Sequence, residues 1–196
     1  MSFDIEFLNI RQDSIAHVRF VSPYIEFKRH WLRLEEKYRP VNNCPDDCPL
    51  CEREKPHQRW AAVVIAEEMI RGPSGFKVFE FGTYVKRQID TYYYNNPEKF
   101  VLGDPNNDLE WGIERKHDGR YTRYIAHPYE KADVLSVEQR EEASFYYNKM
   151  EAAYPPLTKV DVLNIMRGVI PDYKKNMIRK LKKKYPKNRW TALEID

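Results

Sequence analysis

Alternation of apolar and polar positions dominates the first half of the chain. IAHVRFV, residues 15 to 21, alternates and is rich in β-branched residues, so it predicts a strand ended by Ser22-Pro23. HWLRLEEKYRPV predicts the next, leading into a cysteine-bearing loop. RWAAVVIAEE, residues 59 to 68, is a short apolar run that reads as a central strand. After the turn at Gly72-Pro73-Ser74-Gly75, FKVFEFG sets Lys77, Phe79 and Phe81 against Val78 and Glu80, a strand expected to form a hairpin with the one before it. The period then changes. In TYVKRQIDTYYYN, Val85, Ile89, Tyr92 and Tyr93 recur at helical spacing behind Thr83, the expected cap. LEWGIERKHDGRYTRYIAHP carries Asp118-Gly119, a two-residue hairpin signal. Counting outward from it sets Arg115 opposite Thr122, Glu114 opposite Arg123 and Ile113 opposite Tyr124. One face then holds Trp111, Ile113, Tyr124 and Ala126; the other holds Lys116, Tyr121 and Arg123 with Glu114.

From Ser136, whose Ser-x-x-Gln suits a capping box, the pattern turns helical through VEQREEASFYYNKMEAAY and LTKVDVLNIMRGVI. The order of strands, helix and final hairpin predicts a mainly β chain: an OB-fold-like five-stranded barrel with an inserted zinc-binding loop and a C-terminal helical appendage. The expected boundaries are 1–130 for the barrel, about 28–58 within it for the zinc subdomain, and 131–196 for a helical, basic C-terminal region.

The chain's three cysteines, Cys44, Cys48 and Cys51, lie in CPDDCPLC. An odd number so close together makes a poor disulfide framework, whereas Cys48-Pro49-Leu50-Cys51 is a metal-binding knuckle. Structural zinc takes four ligands. His30 and His57 are the two histidines near enough in sequence to complete the set. His30 is preferred, because its segment can leave the site as a strand and return at Cys44, as in a zinc ribbon; His57 is the alternative, behind a Lys-Pro that leads away. Four protein ligands make the expected Zn2+ structural, since a catalytic zinc keeps a position for water.

With 196 residues and 42% hydrophobic content the chain suits one moderate domain plus an appendage. It lacks an apolar run of membrane-spanning length and a signal-peptide pattern, so a cytoplasmic location without membrane contact is expected. Net charge is only +3. DYKKNMIRKLKKKYPKNRW, residues 172 to 190, nevertheless concentrates lysine and arginine, either as a solvated face or as a nucleic-acid contact. Aromatic content of 14%, with arginine interleaved, suits base stacking. Phosphate-loop, nucleophile-elbow and zinc-protease motifs are all missing, so an enzyme is not expected.

The run HWLRLEEKYRPVNNCPDDCPLCEREKPHQRWAAVVI, followed by KVFEFGTYVKRQI, Gly103-Asp104-Pro105 and the closing hairpin, resembles the zinc-containing single-stranded DNA-binding (helix-destabilising) proteins of tailed bacteriophages over roughly residues 15 to 130. The resemblance implies His30, Cys44, Cys48 and Cys51 as zinc ligands. It also implies a DNA cleft of basic and aromatic residues near the zinc loop and sheet, expected to draw on Arg39, Lys55, Arg59, Trp60, Lys77, Arg115, Lys116, Arg120, Tyr121 and Arg123. Its functional expectation is sequence-tolerant coating of single-stranded DNA in phage replication, recombination or repair, with replication or recombination proteins as partners. The first cysteine spacing is shorter than in the best-known members, and only Glu194 and Asp196 stand where the class has an acidic tail. The alternative is a zinc-ribbon adaptor that recruits replication proteins and touches DNA little.

Overall fold

A computed structural model describes residues 5–34, 37–66, 75–97, 109–119, 121–131 and 135–169. Its elements are β1 (Ser14–Phe20), β2 (Ile25–Leu34), β3 (Lys37–Asn42), β4 (His57–Ala66), β5 (Phe76–Gly82), α1 (Thr83–Asn95), β6 (Leu109–His117), β7 (Thr122–Lys131), α2 (Val137–Ala153) and α3 (Lys159–Met166). They divide into two compact units. Of the described residues, the larger unit holds Ile5–Glu26 and Gln58–Tyr147, and the smaller holds Phe27–His57 and those from Asn148 on.

The larger unit is an antiparallel, curled half-barrel in which the strands run β5-β4-β1-β6-β7. β4 and β5 form the expected hairpin, with Trp60 opposite Phe81 and Ala62 opposite Phe79. On β1, Val18 and Phe20 pair with Ala66 and Val64 of β4, while Val18 also faces Trp111 of β6. Because side chains alternate, one face collects Val18, Phe20, Trp60, Ala62, Val64, Phe79, Phe81, Trp111 and Ile113 into a core, which Val85 and Ile89 of α1 complete. Tyr92 stands edge-on to Trp111, ring centroids 5.3 Å apart. The helical face read from the sequence is therefore the packed one. Its cap differs: Gly82 occupies the cap position without a side-chain bond, and Thr83 is the first helical residue. The Gln88 side-chain oxygen accepts from the Ala126 backbone at 2.8 Å and ties α1 to β7.

The β6–β7 register departs from the count by two. Arg115 faces Tyr124, Glu114 faces Ile125, Ile113 faces Ala126 and His117 faces Thr122. The cause is the loop, which is four residues long. The Asp118 carboxylate accepts from the Tyr121 backbone N–H at 3.0 Å, the Asp118 N–H donates to the Tyr121 carbonyl at 3.2 Å, and Gly119 takes φ +80°. An even shift preserves the faces, so Trp111, Ile113 and Ala126 are still buried. Tyr121, however, leaves the strand for the loop tip.

In the smaller unit, β2 and β3 form a hairpin where one strand was expected, pairing His30 with Val41 and Trp31 with Pro40. Phe27 packs on Tyr154, centroids 4.6 Å apart. The Ser136 cap forms as read, with Gln139 N–H donating to the Ser136 hydroxyl and the Gln139 side chain accepting from Ser136 N–H. α3 has a second capping box, from Thr158 and Asp161. The basic segment from 172 to 196 lies outside the described residues, as does Arg120.

Ile113 is fully buried in the larger core. Ile113→Ala should lower unfolding free energy by about 2–5 kcal/mol in urea denaturation; a variant as stable as the parent would contradict this packing.

Candidate metal centre

Strand period decides where His30 points. It shares the β2 face with Leu32, opposite Val41, and is 3% exposed. β3 ends at Asn42, and Asn43 adopts a left-handed conformation at φ 52°, which asparagine tolerates better than most residues. Its backbone N–H donates to the Lys28 carbonyl at 2.8 Å, its carbonyl accepts from Leu157 N–H at 3.0 Å, and its side-chain amide donates to the Tyr154 carbonyl at 2.5 Å. Asn43 therefore turns the chain into the cysteine loop and ties that turn to the segment before α3. The next turns close through Cys48 N–H to the Pro45 carbonyl and Cys51 N–H to the Cys48 carbonyl.

These turns gather His30, Cys44, Cys48 and Cys51 so that one ligand atom from each lies within 4.8 Å of the others. His30 Nε2 is 3.2 Å from Cys51 Sγ, and Cys44 Sγ is 3.8 Å from the same sulfur. A tetrahedral ion with metal–sulfur distances of about 2.3 Å holds its sulfurs about 3.8 Å apart. The donor set and spacing fit a tetrahedral metal such as zinc. His57 stands outside the cluster, exposed and 3.9 Å from a Glu54 carboxylate oxygen.

Electrostatics argue the same way. Burial pushes the Cys44 thiol up to about 12, reinforced by the Cys51 hydrogen bond and the neighbouring thiols. Burial also raises Cys51, against the pull of its bond to Cys44 and of Lys28. Burial lowers His30, with Glu54 opposing, and this favours the neutral imidazole that ligates metal. A dication would supply the positive charge that the site otherwise draws from thiol protons. With four protein ligands the tetrahedron has no vertex for water, so the ion's role would be structural. Around the site, Val41, Leu50, Leu157, Val162 and Ile165 form an apolar shell, making the cluster part of the smaller unit's core. Asp46 and Asp47 face solvent beside Lys28 and Lys159. Asn43 and the α3 shell escaped the sequence reading. The doublet Asn42-Asn43 was a turn signal in plain view, but nothing local said what α3 packs on.

The basic and aromatic residues are dispersed. Arg39 and Lys55 belong to the smaller unit, half-buried and exposed respectively. Trp60 faces the larger core at 7% exposure, its indole N–H 3.3 Å from a Glu26 oxygen. Lys77 pairs with Glu6, Lys116 with Glu114 at 3.0 Å and Arg123 with Asp118 at 3.3 Å. Arg115 donates to the Ile10 carbonyl at 2.8 Å. Tyr121 is exposed at the loop tip. Arg59 and Arg123 meet at a cleft of about 390 Å³, lined also by Gly82, Tyr84, Thr122 and Tyr124. A Cβ on Gly82 would lie 3.1 Å from Arg59 Nη1, so glycine leaves room for the guanidinium. Tyr84 and Gly82 were not expected at such a surface, since the cleft joins β4, the junction of β5 with α1, and β7, which are distant in sequence.

No helix among the described residues is long and apolar enough to cross a membrane. No protein-family model matches the chain, and comparison with curated proteins finds no match.

Purified protein should contain one zinc per chain. Cys51→Ser and His30→Ala should lose it together with thermal stability, whereas His57→Ala should retain both. Because ligation requires deprotonated thiols, acidification should release the metal and alkalinity favour it. Metal content unchanged in Cys51→Ser would contradict the site.

Proposed function

We propose that this is a sequence-tolerant single-stranded DNA-binding protein whose larger unit is an OB barrel and whose zinc centre is a structural brace. The observation that carries the reading is the strand order. Numbering only the larger unit's strands, the sheet runs third, second, first, fourth, fifth, and the helix joins third to fourth. That is the order of an OB barrel opened between its third and fifth strands, a fold that binds oligonucleotides across its sheet and its first and last hairpin loops. The β2–β3 hairpin and cysteine loop enter between the first two of these strands, and the 118–121 loop joins the last two. Both positions agree with the resemblance to zinc-containing phage helix-destabilising proteins, which is why phage replication, recombination or repair is the proposed setting and replication or recombination proteins the proposed partners.

In this reading the binding is electrostatic and stacking in character, and the protein is not an enzyme. Arg59, Lys116 and Arg123 contact phosphates, and Tyr121, 65% exposed, stacks a base. The cleft between Arg59 and Arg123, with Tyr84 beside it, supports a path for the backbone there. The Arg123–Asp118 pair does not oppose this, because exposed pairs are weak, and Lys116 keeps an exposed ammonium beside its half-buried partner Glu114.

Titrating a fluorescent oligonucleotide, single against double stranded at two salt concentrations, should show a single-strand preference and steep salt dependence. Lys116→Ala should reduce the magnitude of the log–log salt slope by about 0.7. Tyr121→Ala should weaken binding by about 1–3 kcal/mol with little change of slope. Salt-insensitive or absent single-strand binding would reject the reading in favour of an adaptor that recruits proteins.

A further inference from the structure

Placing His30 toward the metal forces its neighbours on β2 to face the other way. Phe27, Arg29, Trp31 and Arg33 therefore line one face, and the residues opposite them on β3, Tyr38, Pro40 and Asn42, share it. The inner end of this row is buried and held. Phe27 packs on Tyr154, and the Arg29 guanidinium lies 5.1 Å from the Phe27 ring centroid and 5.2 Å from that of Trp31. Arg29 Nε donates to the Asn42 side chain at 2.7 Å, one residue before the turn that starts the cysteine loop. The outer end is open: Trp31 is 45% exposed and Tyr38 65%.

We propose that this outward hairpin face, Trp31 with Tyr38 and Arg33, is a stacking platform for an unpaired base of single-stranded nucleic acid. It rests on the DNA-binding reading above and adds a contact on the metal-bearing unit. Charge selects the occupant. The described residues of this face include arginine but no aspartate or glutamate, so it complements a polyanion. An indole backed by a guanidinium presents a flat ring already oriented, and bases stack on such rings regardless of sequence. Holding that ring costs little on binding, because Arg29 and the hairpin are ordered beforehand.

The test uses full-length, zinc-loaded protein and a fluorescent oligothymidylate. Trp31→Leu, which preserves apolar bulk against Arg29 but cannot stack, should raise Kd roughly 5- to 150-fold, the stacking of one base, without altering the salt slope. Trp31→Phe should stay close to the parent. Arg33→Ala should lower the slope magnitude by about 0.7. Zinc content and melting temperature should match the parent in all three. If the parent binds and Trp31→Leu binds equally well, the platform is overturned while the DNA-binding reading stands, and the patch is left for a protein partner. If the parent fails to bind, both fall together.

Discussion

Three thiols and an imidazole drawn within 4.8 Å in a buried site form the constraint on which the smaller unit depends. Without a cation, burial favours the protonated thiols of Cys44 and Cys51, which gain only weak S–H contacts for the space they occupy. With one, the same atoms become a crosslink between β2, the end of β3 and the cysteine loop. Leu157, Val162 and Ile165 pack against that crosslink, so α3 has a surface to cover only while the loop is folded. Among the described residues, Val41, Leu50, Leu157, Val162 and Ile165 are the buried apolar residues clustered with the cysteines, a small core of the kind that a structural metal supports.

The larger unit stands on different physics. Its stability comes from aromatic and β-branched side chains on one face of a curled sheet, closed by Val85 and Ile89. Phe20, Phe79, Phe81 and Trp60 meet at centroid distances from 5.4 to 6.5 Å, largely in edge-on, tilted or stacked arrangements that add to their area burial. Where this unit departs from a sealed core, it does so with arginine and tyrosine at strand and helix ends, around Arg59, Tyr84 and Arg123. Gly82 links the two aspects: it ends β5, precedes α1 and leaves space for Arg59 across the ladder.

Local signals carried much of this into the sequence. Period-two alternation located β1 and β5, a short apolar run located β4, the shift to helical spacing located α1, and ligand spacing singled out the three cysteines and narrowed the fourth ligand to His30, the preferred one, or His57. Failures came where a side chain or a distant segment decided the outcome. Asp118 closes a four-residue loop through its carboxylate and moves the last register by two, which dipeptide statistics for Asp-Gly do not capture. Residues 30–34 and 37–41 pair with each other as parts of β2 and β3, so one apparent strand is parts of two. Trp31 and Trp60 look equivalent on either side of the metal loop, yet strand parity sends Trp60 to the core and Trp31 to solvent. The apolar shell contributed by α3 and the Arg59 cleft are products of long-range packing, for which no short window holds a signal.

Whether one tetrahedral metal organises the smaller unit is measured directly by X-ray absorption at the zinc edge of the purified protein. The predicted first shell is three sulfurs at about 2.3 Å and one nitrogen at about 2.0–2.1 Å. A shell of oxygen and nitrogen without sulfur, or folded protein that contains no metal, would contradict it.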